Sequence, residues 1–316
     1  PCLLRASPAG SVVSRGGLNV RWCAMPEGDA LYRFAEKLRP ALDGKIIRAA
    51  RSHGPGPVPR VEKIVGQRCT GVRSQGKNML IGFENGLALR GHLRMYGTWH
   101  VYEPGERWTR PEREVRLVLE VDGAVVVNFG APVIELVEER SLGYHAPVSN
   151  LGPDLLDDAF DAEEALQRLR HQTRAMLTIG DAIMDQRAVA GAGNIWKHEA
   201  LFHAGVNPWR RVSDLSDDEL RGLLGKAQGL LRASVGKENA LGLTRRPTMN
   251  VYMRGGQPCR RCRTTLRSAP QGVDIRHTAW CPKCQPVVEG QLEPPRSRRD
   301  RPLVVRPGET NRQRSK

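Results

Sequence analysis

Met79-Leu80-Ile81-Gly82-Phe83, then Asn85-Gly86, then Leu87-Ala88-Leu89 sets two short apolar runs on either side of a turn dipeptide. Such a pattern reads as a β-hairpin, and Asn-Gly suits a type I′ turn because both residues tolerate positive φ. Val115–Val121, Asp122-Gly123 and Ala124–Phe129 repeat the pattern. Upstream, Leu31, Phe34, Ala35, Leu38 and Leu42 fall on one helical stripe between Ala30 and Leu42, with Asp29 at the N-cap position and Gly44 beyond the end. Residues 26–145 therefore read as one helix followed by a mostly antiparallel β domain packed as a sandwich.

Beyond it the period changes. Residues 146–160 are loop-like and acidic, with Gly152-Pro153 and Asp157-Asp158, and read as a linker. Helical patterns follow at 162–169, 175–185, 194–204 and 216–234, within a domain placed at 161–249. Ser216-Asp217-Asp218-Glu219 has the form of a capping box. Residues 250–286 hold two cysteine pairs, and 287–316 is a basic, Pro-rich tail with the composition of a disordered segment. Residues 1–25 have no acidic residue and no structural period. They read as an upstream or processed segment: a transit-type leader, vector sequence or upstream codons.

The chain has 316 residues and a formal charge of +15, and 40% of it is hydrophobic. That apolar fraction can fill real cores, which argues against wholesale disorder. No run reaches the ~18 apolar residues of a membrane span. The excess of positive charge points to a polyanion, nucleic acid before an anionic lipid surface.

Cys259, Cys262, Cys281 and Cys284 form the pattern C-x2-C-x18-C-x2-C. Two such knuckles can close a tetrahedral all-sulfur shell around one zinc ion, and a closed shell of four cysteines is structural. Four unliganded cysteines or a redox pair is the alternative. Ala190-Gly191-Ala192-Gly193-Asn194 leads straight into a helix, where small residues let a backbone come close to a phosphate. A plain interhelical turn explains the same residues.

Three stretches taken together resemble one family. They are Met25-Pro26-Glu27-Gly28-Asp29 before an amphipathic helix, Asp185-Gln186-Arg187-Ala188-Val189-Ala190-Gly191-Ala192-Gly193-Asn194-Ile195-Trp196, and the four-cysteine module with Arg276-His277-Thr278-Ala279-Trp280-Cys281. Their order and spacing resemble the formamidopyrimidine-DNA glycosylase/endonuclease VIII family of base-excision repair enzymes, closer to the endonuclease VIII branch. The resemblance covers residues 25–286. It implies an α+β fold: an N-terminal helix on a β-sandwich, then a helix–two-turn–helix domain with a C-terminal zinc finger, with damaged double-stranded DNA in the cleft between them.

The resemblance also implies roles. Pro26, as a free N-terminal amine, becomes the nucleophile of a bifunctional glycosylase/AP lyase, and Glu27 its general acid/base. Lys77, in Ser74-Gln75-Gly76-Lys77-Asn78, contacts a phosphate near the lesion and assists catalysis. Arg94, Met95 and Tyr96 fill the void that an everted base leaves. The alternative for that segment is a strand with Met95 in the core. Asn194 and Arg276 clamp phosphates, with Gln186 and Arg187 as lesser candidates. The expected setting is a monomer on nucleoid DNA in the cytoplasm, with structural zinc and no membrane.

Two departures matter. The family's second carboxylate often stands where Ala30 is, with Asp29 just before it here. If residues 1–25 stayed attached, Pro26 nitrogen would be an amide and could not form a Schiff base. The alternative reading is then a non-catalytic DNA-lesion-binding protein. The short stretch from Gly236 to Tyr252 and the Arg-Met-Tyr wedge favour oxidised pyrimidines or abasic sites over oxidised purines.

Overall fold

The computed structural model describes residues 26–54, 58–237 and 248–292. The upstream segment 1–25, residues 293–316 of the tail and residues 238–247 before the finger lie outside the described residues.

After α1 (Gly28–Leu42) the chain runs through β1 (Ala49–Ser52), β2 (Cys69–Gln75), β3 (Asn78–Phe83), β4 (Leu87–His92), β5 (Thr98–Tyr102), β6 (Val115–Val121), β7 (Ala124–Phe129) and β8 (Val133–Glu138). They form two four-stranded antiparallel sheets, ordered β1-β6-β7-β5 and β2-β3-β4-β8. Met79, Ile81 and Phe83 alternate into one core with Leu89, Leu117, Leu119 and Val126, and the Leu31–Leu42 face of α1 covers it. β3 is buried on both faces, because Leu80 on its other side packs with Ala88 of β4 under Leu142 and Val148. Val148 belongs to α2 (Ala146–Ser149). The segment read as a linker is thus partly a packed cover: Leu155 and Leu156 also sit in the next core.

Three local expectations are corrected. Neither hairpin turn is type I′, since Asn85 and Asp122 do not adopt positive φ and only Gly86 and Gly123 do. A three-residue loop at 84–86, with Gly86 N–H donating to Phe83 O at 2.9 Å, needs one left-handed residue where type I′ needs two. The N-cap of α1 is Glu27; Asp29 lies inside the first turn, paired with Arg33 at 2.8 Å. Of the helix expected at 175–185 only Ile179–Ala182 forms, and a separate short helix ends at Ala175.

The second core is built from α3 (Ala162–Arg170), α5 (Ile179–Ala182), α6 (Asn194–Ala204) and α7 (Asp217–Ser234), while α4 (Gln172–Ala175) contributes no residue to it. Asp161 caps α3 by accepting from the amides of Glu163 and Glu164, and the Ser216/Glu219 capping box is present on α7. The chain cannot stay helical through 178–180. There the amides of Ile179 and Gly180 donate to the carbonyls of Arg210 and Pro208, at 2.7 and 3.0 Å, instead of to their own helix.

The finger hairpin, β9 (Arg267–Gln271) and β10 (Arg276–Trp280), is fastened to α6. Glu199, fully buried, accepts from the amides of Val251 and Tyr252 (both 3.0 Å) with Oε1 and from that of Asn250 (2.8 Å) with Oε2. His198 Nε2 accepts from Ala279 N–H at 2.9 Å while Nδ1 donates to Asn194 O. Trp209 and Trp280 pack with ring centroids 4.4 Å apart. Among the described residues no helix is long and apolar enough to cross a membrane.

Two measurements check this fastening. Glu199→Ala strands three backbone donors and is expected to cost about 3 kcal/mol in urea unfolding, with the finger released first. Burial pushes His198 down to about 3. The fold therefore holds it neutral. Its stabilisation is complete above the unfolded value of ~6.5 and declines as pH falls towards the folded one. Between pH 7.5 and 5 this amounts to about 2 kcal/mol, a dependence that His198→Gln should flatten.

Candidate active site

The site lies on the seam between sandwich and helical domain. Glu27 closes it: only 3% exposed, its carboxylate reaches across and accepts from the amides of Ile195 (2.7 Å, Oε1) and Trp196 (3.3 Å, Oε2). It thereby caps α6, whose own N-cap is Gly193 and has no side chain to offer. The approach is tight. A Cβ on Gly193 would sit 2.5 Å from Glu27 Cδ, and one on Gly28 would sit 2.8 Å from Gly191 Cα. Gly28 N–H donates to Gly191 O at 2.9 Å, and Gly191 itself is left-handed at φ +92°. The Gly-rich turn is therefore built to receive the first residues of α1.

Burial raises the Glu27 carboxyl to about 7, against the pull of Lys77 and of the Ile195 amide. Lys77 is lowered by burial, with Glu27 opposing that shift and Arg276 adding to it. Lys77, from the β2–β3 turn, thus lies within the field of both Glu27, from the start of α1, and Arg276, from the finger. Pro26 is half-buried beside Glu27. Arg276 is paired from the outer side by Asp274 at 3.0 Å. Asn194 opens α6, and its Oδ1 is buried with no hydrogen-bond partner among the described residues.

Asp154 was not singled out from the sequence. Its Oδ2 accepts from Gly76 N–H at 2.5 Å, its Oδ1 accepts from Leu156 N–H at 3.0 Å, and residue 154 bridges Ala190. It is a second tie across the seam, fixing the turn that presents Lys77 next to the Gly-rich turn. Lys197 was also missed; it is fully buried on α6 with Nζ donating to Thr278 Oγ1 at 2.7 Å.

Gln186 and Arg187 are committed elsewhere. Gln186 staples the turn, accepting from Gly191 N–H and donating to Met184 O and Ala192 O. Arg187 is held by Asp185 with two 3.0 Å bonds. Arg94, Met95 and Tyr96 form the turn between β4 and β5, with Arg94 at φ +48° and Met95 and Tyr96 45% and 60% exposed. Met95 is thus on a projecting turn and not in a strand core.

The four cysteines converge, with all Sγ atoms within 4.8 Å of one another. A tetrahedral shell at ~2.3 Å Zn–S requires S···S separations of about 3.8 Å. The Cys259–Cys284 and Cys262–Cys281 sulfurs are 4.0 and 3.4 Å apart, and the Arg261 and Cys284 amides point at the Cys259 and Cys281 sulfurs. The set fits a zinc ion.

Comparison with known proteins gives matches along most of the described chain. The formamidopyrimidine-DNA glycosylase N-terminal domain matches residues 25–143, the formamidopyrimidine-DNA glycosylase H2TH domain residues 151–244, and a zinc finger found in FPG and IleRS residues 256–287. A probable endonuclease 8 2 of Streptomyces coelicolor is 37% identical over 266 residues, covering 83% of this chain and 94% of that protein. Endonuclease 8 of Klebsiella pneumoniae is 30% identical over 270 residues, covering 83% of this chain and 100% of that protein. Among solved structures, Lactococcus lactis Fpg in complex with oxidised-pyrimidine DNA superposes with a TM-score of 0.71 at 22% identity, over 83% of this chain and 100% of that one. The Thermus thermophilus protein gives 0.68 at 26%, over 82% and 98%.

Gly193→Ala is expected to lever the Glu27 carboxyl off the α6 amides, costing about 1–3 kcal/mol. The Ile195 and Trp196 amides favour the ionised carboxylate, so once they are lost and the group stays in the seam, carboxyl carbon NMR should show the Glu27 titration moving above about 7. An unmoved titration would show that the capping contact does not hold this group. Cys281→Ser should abolish zinc stoichiometry while leaving the unfolding of the sandwich unchanged.

Proposed function

The chain belongs to the formamidopyrimidine-DNA glycosylase/endonuclease 8 family, whose members serve base-excision repair, and from that premise we propose that it is a bifunctional DNA glycosylase and AP lyase acting through the amine of Pro26. The observation that carries this reading is the buried Glu27 carboxyl, raised to about 7, held beside Pro26 and facing Lys77.

In the working form Pro26 is the N-terminus. Its secondary amine, with a reference pKa of ~7.7–8, has a neutral fraction at physiological pH and attacks C1′ of the damaged nucleotide. The C1′–base bond breaks and the base departs with a proton. Loss of the ring-oxygen bond leaves an iminium joining Pro26 to the sugar. Its positive charge acidifies the C2′ protons, and successive β- and δ-elimination releases the two phosphates. Glu27 is the general acid/base at the sugar, and a carboxyl poised near neutrality can both give and take the proton.

Lys77, Asn194 and Arg276 hold the phosphates around the everted nucleotide. These contacts position the DNA without reading its sequence. Arg94, Met95 and Tyr96 enter the stack, where filling the hole offsets an unstacking cost of a few kcal/mol. Zinc held by Cys259, Cys262, Cys281 and Cys284 shapes the finger and takes no part in the chemistry. The substrates are oxidised pyrimidines and abasic sites in double-stranded DNA, handled by a monomer at the nucleoid. This choice is supported by the exposed wedge and the short 236–252 stretch.

The test is borohydride trapping by a chain beginning at Pro26, on duplexes carrying thymine glycol, dihydrouracil, 8-oxoguanine or an abasic site. A covalent adduct is expected with at least the abasic site, and none with Glu27→Gln or with Pro26→Gly carrying a blocked terminus. No adduct on any duplex would overturn the enzyme reading in favour of a lesion-binding protein. The pH profile of kcat/KM should be bell-shaped. The acid limb reports protonation of the Pro26 amine. The alkaline limb reports loss of the Glu27 proton above about 7.

A further inference from the structure

Lys197 carries a charge that the interior does not neutralise. It is fully buried on α6, its Nζ is bonded to Thr278 Oγ1 at 2.7 Å, and no carboxylate among the described residues is within ion-pairing distance of it. Its partner belongs to a neutral chain: Thr278 Oγ1 donates to Gln271 Oε1 (2.8 Å), and Gln271 Nε2 donates to Thr178 Oγ1 (3.0 Å) and Pro208 O (2.9 Å). A buried ammonium with one neutral acceptor is costly unless an anion completes it.

The missing anion has an obvious side from which to arrive. Lys197 lies one turn after Asn194 on α6, and Thr278 lies two residues after Arg276 on β10, so each pair shares a face. The Lys197–Thr278 bond locks those faces together. The charged groups acting on Lys197 are Asp181 from α5, Glu27 from the N-cap of α1 and Arg276 from β10. Asp181 is already bonded by Thr178 Oγ1 at 2.7 Å. His198, next on α6, is held neutral. Arg276 and Glu27 thus act on both Lys77 and Lys197, and of the carboxylates present Asp274 is paired with Arg276, Asp181 is bonded by Thr178, and Glu27 is held near neutrality.

We propose that Lys197 is a positioning residue for DNA: a buried cation behind Arg276 and Lys77 that completes an anion subsite for the phosphate beside the reacting nucleotide. The inference rests on the DNA-binding reading above. Lys197 does not touch the phosphate. It acts by its field through a water-poor interior, where charge is weakly screened, and by anchoring β10 through Thr278. Burial has pulled its ammonium down to about 8. A phosphate arriving at the subsite favours the charged form, so binding takes up a proton and weakens as pH rises through that value.

The experiment is binding of the full chain to a duplex with a tetrahydrofuran abasic analogue, by fluorescence anisotropy, from about pH 6.5 to about 9.5 around the ordinary lysine and shifted values. Wild type should lose affinity above about 8. Lys197→Met, with zinc content and thermal transition retained, should bind about tenfold more weakly near neutrality and lose the component of the pH dependence centred on about 8, keeping that of Glu27 near 7. Lys197→Arg, permanently charged, should keep the neutral-pH affinity and also lack the component centred on about 8. Wild-type affinity and pH profile in Lys197→Met would overturn the proposal. So would weaker binding with an unchanged profile, which marks a packing defect. Should Lys197→Met not fold, identical profiles for wild type and Lys197→Arg would overturn it. A wild type that does not bind the duplex at all overturns the DNA reading, and this inference with it.

Discussion

The structure depends on one carboxylate at the start of a helix that is not its own. Glu27 is the N-cap of α1 by backbone position, yet its side chain satisfies the first amides of α6, 168 residues away along the chain. The contact demands bare backbone on both sides, which Gly28 and Gly193 provide. It also sets two opposed effects on one group. Helix amides stabilise the ionised carboxylate, whereas burial disfavours it. Burial prevails, and the group rests near neutrality. The tie that joins the two halves is thus also the titratable group best placed for proton transfer, so opening the seam and losing the chemistry are one event.

The net charge takes on a different meaning beside this. Much of the surface arginine is matched: Arg48 with Asp122, Arg221 with Glu163 and Asp218, Arg170 with Asp217. Exposed pairs of this kind contribute little to stability and little net field. The cations at the seam are few but less screened: Lys77 and Arg276 are half-buried and Lys197 fully buried. Cations withdrawn from solvent attract a phosphate more strongly than the same number in open water. Overall basicity announced a polyanion; burial decides where it would be held.

What was legible in the sequence was local. The two hairpins, the Ser216 capping box and the cysteine knuckles are each specified by residues within a few positions of one another, and each formed. The errors share one cause. Asp29 looked like a cap because nothing nearby showed that the chain would turn at Glu27. The 175–185 helix looked continuous because its rivals, the carbonyls of Pro208 and Arg210, lie about thirty residues on. Type I′ turns were read from dipeptides, where one left-handed glycine sufficed. The site divides the same way. Pro26, Glu27 and Lys77 were reachable through resemblance, but Asp154 and Lys197 carry no local mark, since each matters through a partner more than seventy residues distant.

The proposed chemistry and the proposed recognition also differ in rigidity, and that bears on specificity. Glu27, Asp154 and the Gly-rich turn are buried and multiply hydrogen-bonded, and they would present the same reacting geometry to any sugar placed before them. Arg94, Met95 and Tyr96 stand on an exposed turn that holds a non-glycine residue at positive φ, a conformation kept only where the surroundings enforce it. Gly97 enforces it: a Cβ there would sit 2.8 Å from Leu93 Cα, so the turn closes on itself and projects its apolar side chains outward. On the proposed reading, a lesion would be selected before it reaches the seam, by how readily its nucleotide leaves the stack when those side chains enter. Weakly stacked, non-planar oxidised pyrimidines and abasic sites would yield most easily to such a wedge, which would give the proposed preference a physical basis independent of any contact with the base.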